Sequence, residues 1–421
     1  MLDINFIREN PDAVRKGAKL KGIEVDVEKI IALDDRRRQV LQDLESLRAE
    51  QNKKSKNKDA SNQAEELRDL KDKIKNLESQ LKSIENDYGV LMLNVPNVPA
   101  SDVHEGKDDS ENKVIRKWGE ISDFNFEPKD HLDLGEKLNL IDVERAAKVS
   151  GPRFAYLKND AALLEFALVQ FAMDILINEG FTPIIPPVLI KNEITQGLGY
   201  WEAGGDDYYS VQDEEGKQFY LVGTAEHSIV PMHKDKIFEK SDLPKRYVAF
   251  STCFRREAGS YGKDTRGILR VHQFDKVEMV SFTTEDQDDN EHEYLLSLEE
   301  KLFQALNIPY QVVKMCTGDL GFPVARKYDI EAWMPGQNKY REVTSTSTTT
   351  DFQARRLNIK YRDGNLPAGK AGEKKFARIL NGTAFAIGRT IIAILENYQT
   401  KEGTVLVPEV LQKYLGKKEI R

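Results

Sequence analysis

The chain of 421 residues carries 62 Lys and Arg against 70 Asp and Glu, a formal net charge of −8, with 40% apolar and 9% aromatic residues. That is enough for two or three domains of about 150 residues around a large core, and it excludes nucleic-acid binding through the overall field; any such contact must come from a local patch. Two cysteines, Cys253 and Cys316, are too few for a disulfide framework or a cysteine-rich zinc site, "MLDINFIREN" has no apolar signal core, and no uncharged apolar run nears the ~18 residues of a membrane span, so the expectation is a cytoplasmic chain with no membrane partner.

In chain order, the first pattern is helical. Ile30, Leu33, Val40, Leu44 and Leu47 fall on a three–four spacing that Arg37 interrupts. Leu67, Leu70, Ile74, Leu77, Leu81, Ile84, Tyr88 and Leu91 keep that spacing unbroken. This is a coiled-coil seam, and the residues between are mostly charged, as exposed helix faces should be. The segment from Gln51 to Asn62 is too short for the helices to diverge, so an antiparallel hairpin over about 27–92 is expected. A helix of about 30 residues is ~45 Å long. Its tip reads "NKKSKNKDASNQ" and gathers Lys53, Lys54, Lys56 and Lys58 with no carboxylate from Asn52 to Lys58. The pattern alone leaves three readings: a dimerisation coil, a spacer with a soluble tip, or an arm that meets nucleic-acid phosphates.

"NVPNVPASDVHEGKDDSENK" reads as a linker, which places the domain boundary near 108/109. Beyond it, "AALLEFALVQFAMDILINEG" predicts an apolar helix stopped by Gly180. Short apolar runs at Phe219–Val222, Tyr247–Phe250 and Val277–Phe282 predict strands, and a helix is expected over Glu293–Leu306. The acidic "TEDQDDNEHE" suits that helix's N-terminal turn. Regular helices do not separate the strands, so the fold class expected is α+β, a mainly antiparallel sheet flanked by helices.

Several stretches carry chemistry. "FRREAGSYGKDTRGILRVHQFDKVEM" is a strand–loop–strand with Arg255, Arg256, Glu257, Arg266 and Arg270. Arginine forks grip phosphate oxygens in a bidentate way, which suits a polyphosphate, although an exposed hairpin could carry the same residues. "YLVGTAEHSIV" puts Thr224 and Glu226 after a strand, where the carboxylate could hold an ammonium or Thr224 could cap a helix. "YREVTSTS" offers Glu342 and Ser345 as oxygen donors for a hard cation such as magnesium. "LNGTAFAIGRTIIAILENYQ" is expected to begin a helix near Thr383, with Arg389 on its first turns. Gly364, Gly369 and Lys370 imitate a phosphate loop, but Ala371 stands where Ser or Thr is required, so that segment is read as a mobile loop.

Together these segments resemble a known family. The arginine-rich stretch is similar to the second signature motif of class II aminoacyl-tRNA synthetases, "LNGTAFAIGRTIIAILENYQ" to the third, and "EGFTPIIPPVLI" to the first. "GTAEHS", "TGDLGFPVARKYDIEAWMPGQNKYREV", "DFQARR", the N-terminal "MLDINFIRENPDAV" and the helical hairpin resemble the bacterial-type seryl-tRNA synthetase family in particular. The resemblance covers nearly the whole chain in order. It implies an N-terminal tRNA-binding domain (1–108) and a class II catalytic domain (109–421), a homodimer formed through the first motif, and the substrates L-serine, ATP with Mg2+ and tRNA(Ser), with tRNA(Sec) a further candidate and no zinc. The reaction implied is attack of serine's carboxylate on the α-phosphate of ATP, followed by transfer of the seryl group to tRNA. Such a displacement needs positioning and charge neutralisation, not a protein nucleophile.

The resemblance also implies roles. Arg255 is similar to the second-motif arginine on the α-phosphate and serine carboxylate, and Glu257 to its ATP-positioning partner. Arg256 belongs to the same ATP segment. Val271 offers backbone contacts to adenine and Phe274 stacks on it. Glu342, Val343, Thr344 and Ser345 match the magnesium and ATP segment, and Arg389 the third-motif arginine on the γ-phosphate. Thr224, Ala225 and Glu226 match the serine-binding loop, joined by Glu278 and Thr383. Lys53, Lys54, Lys56 and Lys58 would meet the long variable arm of the tRNA. Three places depart from the family pattern: Arg256 replaces a serine or glutamate, "STSTTTDFQ" with Thr346 and Thr348 replaces "SSCSNFxDFQ", and Thr383 often reads Ser. Two rivals are a paralogue that loads a carrier protein, which lacks the arm present here, and a coiled-coil binding protein with an inactive enzyme domain, against which the intact arginines argue.

Overall fold

The computed structural model describes all residues except 57–62, 201–206, 259–261, 263, 265 and 365–371. The chain divides into two compact units, Met1–Val98 and Pro99–Arg421. Among the described residues no helix is long and apolar enough to cross a membrane.

In the first unit, short helices α1 (Ile4–Glu9) and α2 (Pro11–Leu20) precede the long helices α3 (Val27–Lys56) and α4 (Gln63–Leu93). The cross-helix pairs Lys54–Glu66, Arg48–Glu78 and Arg37–Tyr88 run in opposite directions along the two helices, so the hairpin is antiparallel as expected. Ile30, Val40 and Leu44 on α3 and Leu70, Ile74 and Ile84 on α4 are buried along the seam.

The interruption at Arg37 has a cause the spacing did not show. Asp34, fully buried, occupies the inward position, and guanidinium nitrogens of Arg8, Arg37 and Arg38 lie 2.8, 3.1 and 2.8 Å from its carboxylate. Burial pushes the Asp34 carboxyl up, but the arginines outweigh it and hold it below its ordinary value. Arg37 then lies over the Tyr88 ring at 5.1 Å. The expected tip loop is also shorter than the sequence suggested: α3 continues through Lys53, Lys54 and Lys56 to its end, while Lys58 lies outside the described residues.

The second unit is built on an eight-stranded sheet. In chain order its framing elements are β1 (Lys113–Trp118), α5 (Asp160–Asn178), β2 (Thr182–Ile184), α6 (Asn192–Leu198), α7 (Glu226–Ile229), β3 (Lys245–Phe254), β4 (Gln273–Thr283), α8 (Asp288–Ala305), β5 (Tyr310–Lys314), β6 (Arg326–Met334), β7 (Lys339–Thr348), α9 (Phe352–Leu357), β8 (Arg378–Ala386) and α10 (Ile387–Asn397). The strand order is β1-β5-β6-β7-β8-β4-β3-β2, antiparallel throughout except for the parallel edge pair β2–β3. Helices α5, α8 and α10 bury their apolar sides with the sheet in one core. α5 stops as its sequence predicts: Gly180 takes φ +88, and the Phe181 amide returns to the Leu176 carbonyl.

Two local expectations change. The run expected to start a helix near Thr383 is strand β8 as far as Ala386, and the helix starts at Ile387. A short apolar run fits either period, and pairing with β4 and β7 on both sides decides for strand. Thr224 does not cap α7, whose preceding residue is Ala225; the Thr224 hydroxyl only receives the Glu226 amide at 3.4 Å. Of the phosphate-loop imitation, residues 369–371 lie outside the described residues.

Candidate active site

Two β-bulges shape one cleft on the sheet. Along β4, Phe274, Lys276 and Glu278 alternate toward it, while Val277 and Met279 enter the core. In β7, Ile330 pairs with Thr344 but Glu331 pairs with Glu342, so Val343 is an extra residue. This bulge flips the strand's parity and brings Glu342 and Ser345, three apart, to the same face. In β8, Glu278 pairs with Thr383 and Val277 with Phe385, which makes Ala384 the extra residue and turns both Thr383 and Ala386 into the cleft. The cleft holds about 370 Å3.

One end is rich in arginine. Arg255 follows β3, its amide is held by the His272 carbonyl at 2.9 Å, and its Nε and Nη2 donate to the Gly223 carbonyl at 3.3 and 3.2 Å. Its guanidinium lies 5.4 Å from the centre of the Phe274 ring. Arg389, in the first turn of α10, donates from Nη1 to the Glu342 carbonyl at 3.1 Å and from Nε to the Leu269 carbonyl at 3.2 Å. The same Nη1 lies 3.0 Å from the Glu342 carboxylate. Partial removal from water pushes the Glu342 carboxyl up, but Arg389 and then Lys327 outweigh it and hold it at about 2. Glu257, at φ +53, pairs with Arg270 at 3.2 Å. A set of fixed guanidinium donors around an apolar wall of Val271 and Phe274 can hold a flat ring at one place and phosphate oxygens at the next.

The other end is a small polar pocket. Glu278 Oε2 receives the Thr383 hydroxyl at 3.0 Å and the Lys276 ammonium at 2.7 Å. Glu226, buried, receives the Tyr200 hydroxyl at 3.1 Å on both oxygens and Gln353 Nε2 at 2.7 Å on Oε1. His227 is buried and is driven well below its ordinary pKa by burial, with Arg255 and Lys276 adding repulsion, so its neutral Nδ1 accepts the Gly223 amide at 3.2 Å. A pocket with two carboxylates and a hydroxyl at this spacing suits a small molecule that carries an ammonium and a hydroxyl group.

The expected residues therefore converge, with two exceptions. Thr224, Glu226, Arg255, Glu257, Val271 and Phe274 line the cleft, and so do Glu278, Glu342, Val343, Thr344, Ser345, Thr383 and Arg389. Ala225 is wholly buried behind the lining, and the Arg256 side chain is exposed outside it. Sequence reasoning did not assign Tyr200, Lys276, Lys327 or Gln353. Lys276 was legible, since it sits two residues before Glu278 in one strand and so must share its face. Lys327 and Gln353 lie in stretches singled out for their resemblance, "TGDLGFPVARKYDIEAWMPGQNKYREV" and "DFQARR", but were given no role, and Tyr200 carried no local signal. In the first unit, Lys53 is exposed and Lys54 is held by Glu50 and Glu66 at 3.1 and 2.9 Å.

Comparison with known proteins matches this arrangement. Residues 1–99 match the seryl-tRNA synthetase N-terminal domain, and residues 209–398 the tRNA synthetase class II core domain (G, H, P, S and T). The chain is 44% identical to a serine–tRNA ligase of Dictyoglomus turgidum over 431 residues, covering 100% of this chain and 99% of that one. It is 45% identical to one of Petrotoga mobilis over 432 residues, covering 100% of both. A solved seryl-tRNA synthetase from Pyrococcus horikoshii complexed with ATP superposes with a TM-score of 0.91 at 41% identity, over 100% of this chain and 99% of that one.

Proposed function

The chain belongs to the seryl-tRNA synthetase family and is a serine–tRNA ligase; from that premise we propose how its residues divide the work. ATP binds at the arginine end, with adenine on Phe274 and the Val271 backbone. Arg255 grips the α-phosphate and the serine carboxylate. Glu257, fixed by Arg270, orients the nucleotide. Arg389 holds the γ-phosphate. Serine enters the polar pocket, its ammonium on Glu226 and Thr224 and its hydroxyl between Glu278 and Thr383. The carboxylate attacks the α-phosphate in line, pyrophosphate leaves, and the seryl group then passes to the terminal ribose of tRNA. The guanidinium groups oppose the charge that builds on the phosphorus oxygens, and they are fixed before reaction by the Gly223, Leu269 and Glu342 carbonyls. The single observation that carries this reading is the convergence of Arg255 and Arg389 with Glu226 and Glu278 on one cleft.

Glu342 and Ser345 fit magnesium. The bulge puts their oxygens on one face, and among the described residues no group of three or more His, Cys, Asp or Glu could hold an ion alone. That suits an ion that takes most of its ligands from phosphate and water. Bound with ATP, magnesium supplies charge neutralisation at the phosphates.

The N-terminal unit is the tRNA-binding domain of this reading and the C-terminal unit its catalytic domain. Lys53, Lys54, Lys56 and Lys58 meet tRNA(Ser) through phosphates, with tRNA(Sec) a second acceptor to be assayed. Ile185 of the first motif, 76% exposed, and Leu163 and Phe166 on the preceding helix α5, 50 and 66% exposed, support a homodimer formed through the first motif and that helix. Two free cysteines, Cys253 and Cys316, suit a cytoplasmic enzyme. The test is pyrophosphate exchange with each of the twenty amino acids, then charging of both tRNAs. Exchange with serine alone supports the reading, and exchange driven by another amino acid overturns it.

A further inference from the structure

Gln353 is fully buried in α9 and belongs to no role assigned above. Its amide is fixed at both ends. Oε1 accepts the Thr349 hydroxyl at 3.2 Å, while Nε2 donates to Glu226 Oε1 at 2.7 Å and to the Leu198 carbonyl at 3.2 Å. Both amide hydrogens are thereby used, and a flipped amide would set its oxygen against Glu226 Oε1 and the Leu198 carbonyl and lose both of those bonds. The Leu198 carbonyl ends α6, two residues before Tyr200, whose hydroxyl bridges both Glu226 oxygens at 3.1 Å. One side chain thus joins two separate segments, the end of α6 and residues 349–353, to one carboxylate, and it leaves Oε2 of Glu226 with Tyr200 as its donor.

We propose that Gln353 is a positioning residue for amino-acid recognition: its amide orients the Glu226 carboxylate and favours its anionic form, so that Oε2 can receive the substrate ammonium. The proposal rests on the reading that Glu226 binds that ammonium. Burial pushes the Glu226 carboxyl up to about 7, against the pull of Gln353. Within that same value Glu278 adds to the rise, while Lys276 and Tyr200 oppose it. His227, whose ring lies tilted with its centre 5.0 Å from that of Tyr200, is neutral and adds no charge. Loss of the Gln353 donor therefore moves the carboxyl to a higher pKa, and at neutral pH less of the enzyme carries the anion that an ammonium needs.

The experiment compares Gln353→Met, Gln353→Glu and Glu226→Gln with the unaltered full chain in serine-dependent pyrophosphate exchange from pH 6 to 8.5. Methionine keeps the length and volume but has no donor. Glutamate keeps the volume and places a second carboxyl beside Glu226. In Gln353→Met the serine KM at pH 7 should rise roughly tenfold, as a lost hydrogen bond to a charged group implies. The acid limb of kcat/KM for serine should move about one pH unit higher, since tenfold corresponds to one unit. The KM for ATP should stay within about twofold. Gln353→Glu should move the limb further. A serine KM raised equally at every pH, or an unmoved limb in whichever Gln353 variant is soluble, overturns the proposal and leaves only a packing role. If Glu226→Gln impairs serine use and Gln353→Met is normal, the proposal alone falls. If Glu226→Gln is indifferent to serine, the assignment of Glu226 falls and takes the proposal with it.

Discussion

Arg389→Met separates catalysis from folding at the arginine end. The substitution keeps the aliphatic stem and removes the guanidinium. Its effect on the fold should be modest. The Glu342 side chain is 42% exposed, so solvent screening leaves the ion pair at most about 1 kcal/mol. The bonds to the Leu269 and Glu342 carbonyls contribute about 1 kcal/mol each. A loss of roughly 2–3 kcal/mol in all lowers the melting temperature by several degrees and leaves a folded enzyme at 25 °C. Adenylation should suffer more than binding. A donor aimed at charge that grows in the transition state contributes about 3 kcal/mol, or roughly a hundredfold in rate. The pH profile should change as well. With Arg389 present, Glu342 stays ionised down to about pH 2. Its folded value lies below the ordinary 4.5, so the stability it contributes is complete above pH 4.5 and is lost as the pH falls toward 2. Without the guanidinium the carboxyl titrates higher, and the acid-side stability shrinks to what Lys327 and Arg255 still supply. The assays are pyrophosphate exchange and thermal melts at pH 7 and pH 4. A folded Arg389→Met enzyme with near-normal exchange would refute the phosphate role, and an unchanged loss of stability between pH 7 and pH 4 would refute the coupling to Glu342.

Three further outcomes follow from the geometry. Glu278→Ala should lower activity and cut the preference for serine over alanine by at least about tenfold, because Thr383 and Lys276 lose the carboxylate that orders the hydroxyl site; an active variant that still excludes alanine and glycine equally places the hydroxyl site elsewhere. Changing Lys53, Lys54, Lys56 and Lys58 together to Ala should raise the tRNA KM and flatten its salt dependence by roughly one log–log unit or less per lost phosphate contact. Lys54, already held by Glu50 and Glu66, should contribute least, and an unchanged salt slope in the quadruple variant ends the arm hypothesis. Leu163→Asp with Phe166→Asp, which puts charge into the exposed apolar face of α5, should yield monomers in sedimentation; a dimer that persists removes this face from the interface.

The sequence by itself determined the elements whose signal is local. The three–four spacing specified the hairpin, because a seam must recur with the helical period. Gly180 specified the end of α5, because only glycine takes φ +88 there without strain. The arginine-rich stretch specified a strand–loop–strand, and its resemblance to a known motif put Arg255 forward as a candidate phosphate ligand before any geometry existed. Other features depend on what packs from elsewhere. Asp34 is an inward residue only because Arg8, Arg37 and Arg38 neutralise it. The run through Thr383 is a strand only because β4 and β7 flank it. Glu342 and Ser345 share a face only because the pairing with β6 leaves Val343 unmatched, and a bulge is a property of two strands. The pocket around Glu226 draws Tyr200 and Gln353 from segments more than 150 residues apart. Spacing along the chain carries no information about such distances, because burial and register set them once the sheet has closed.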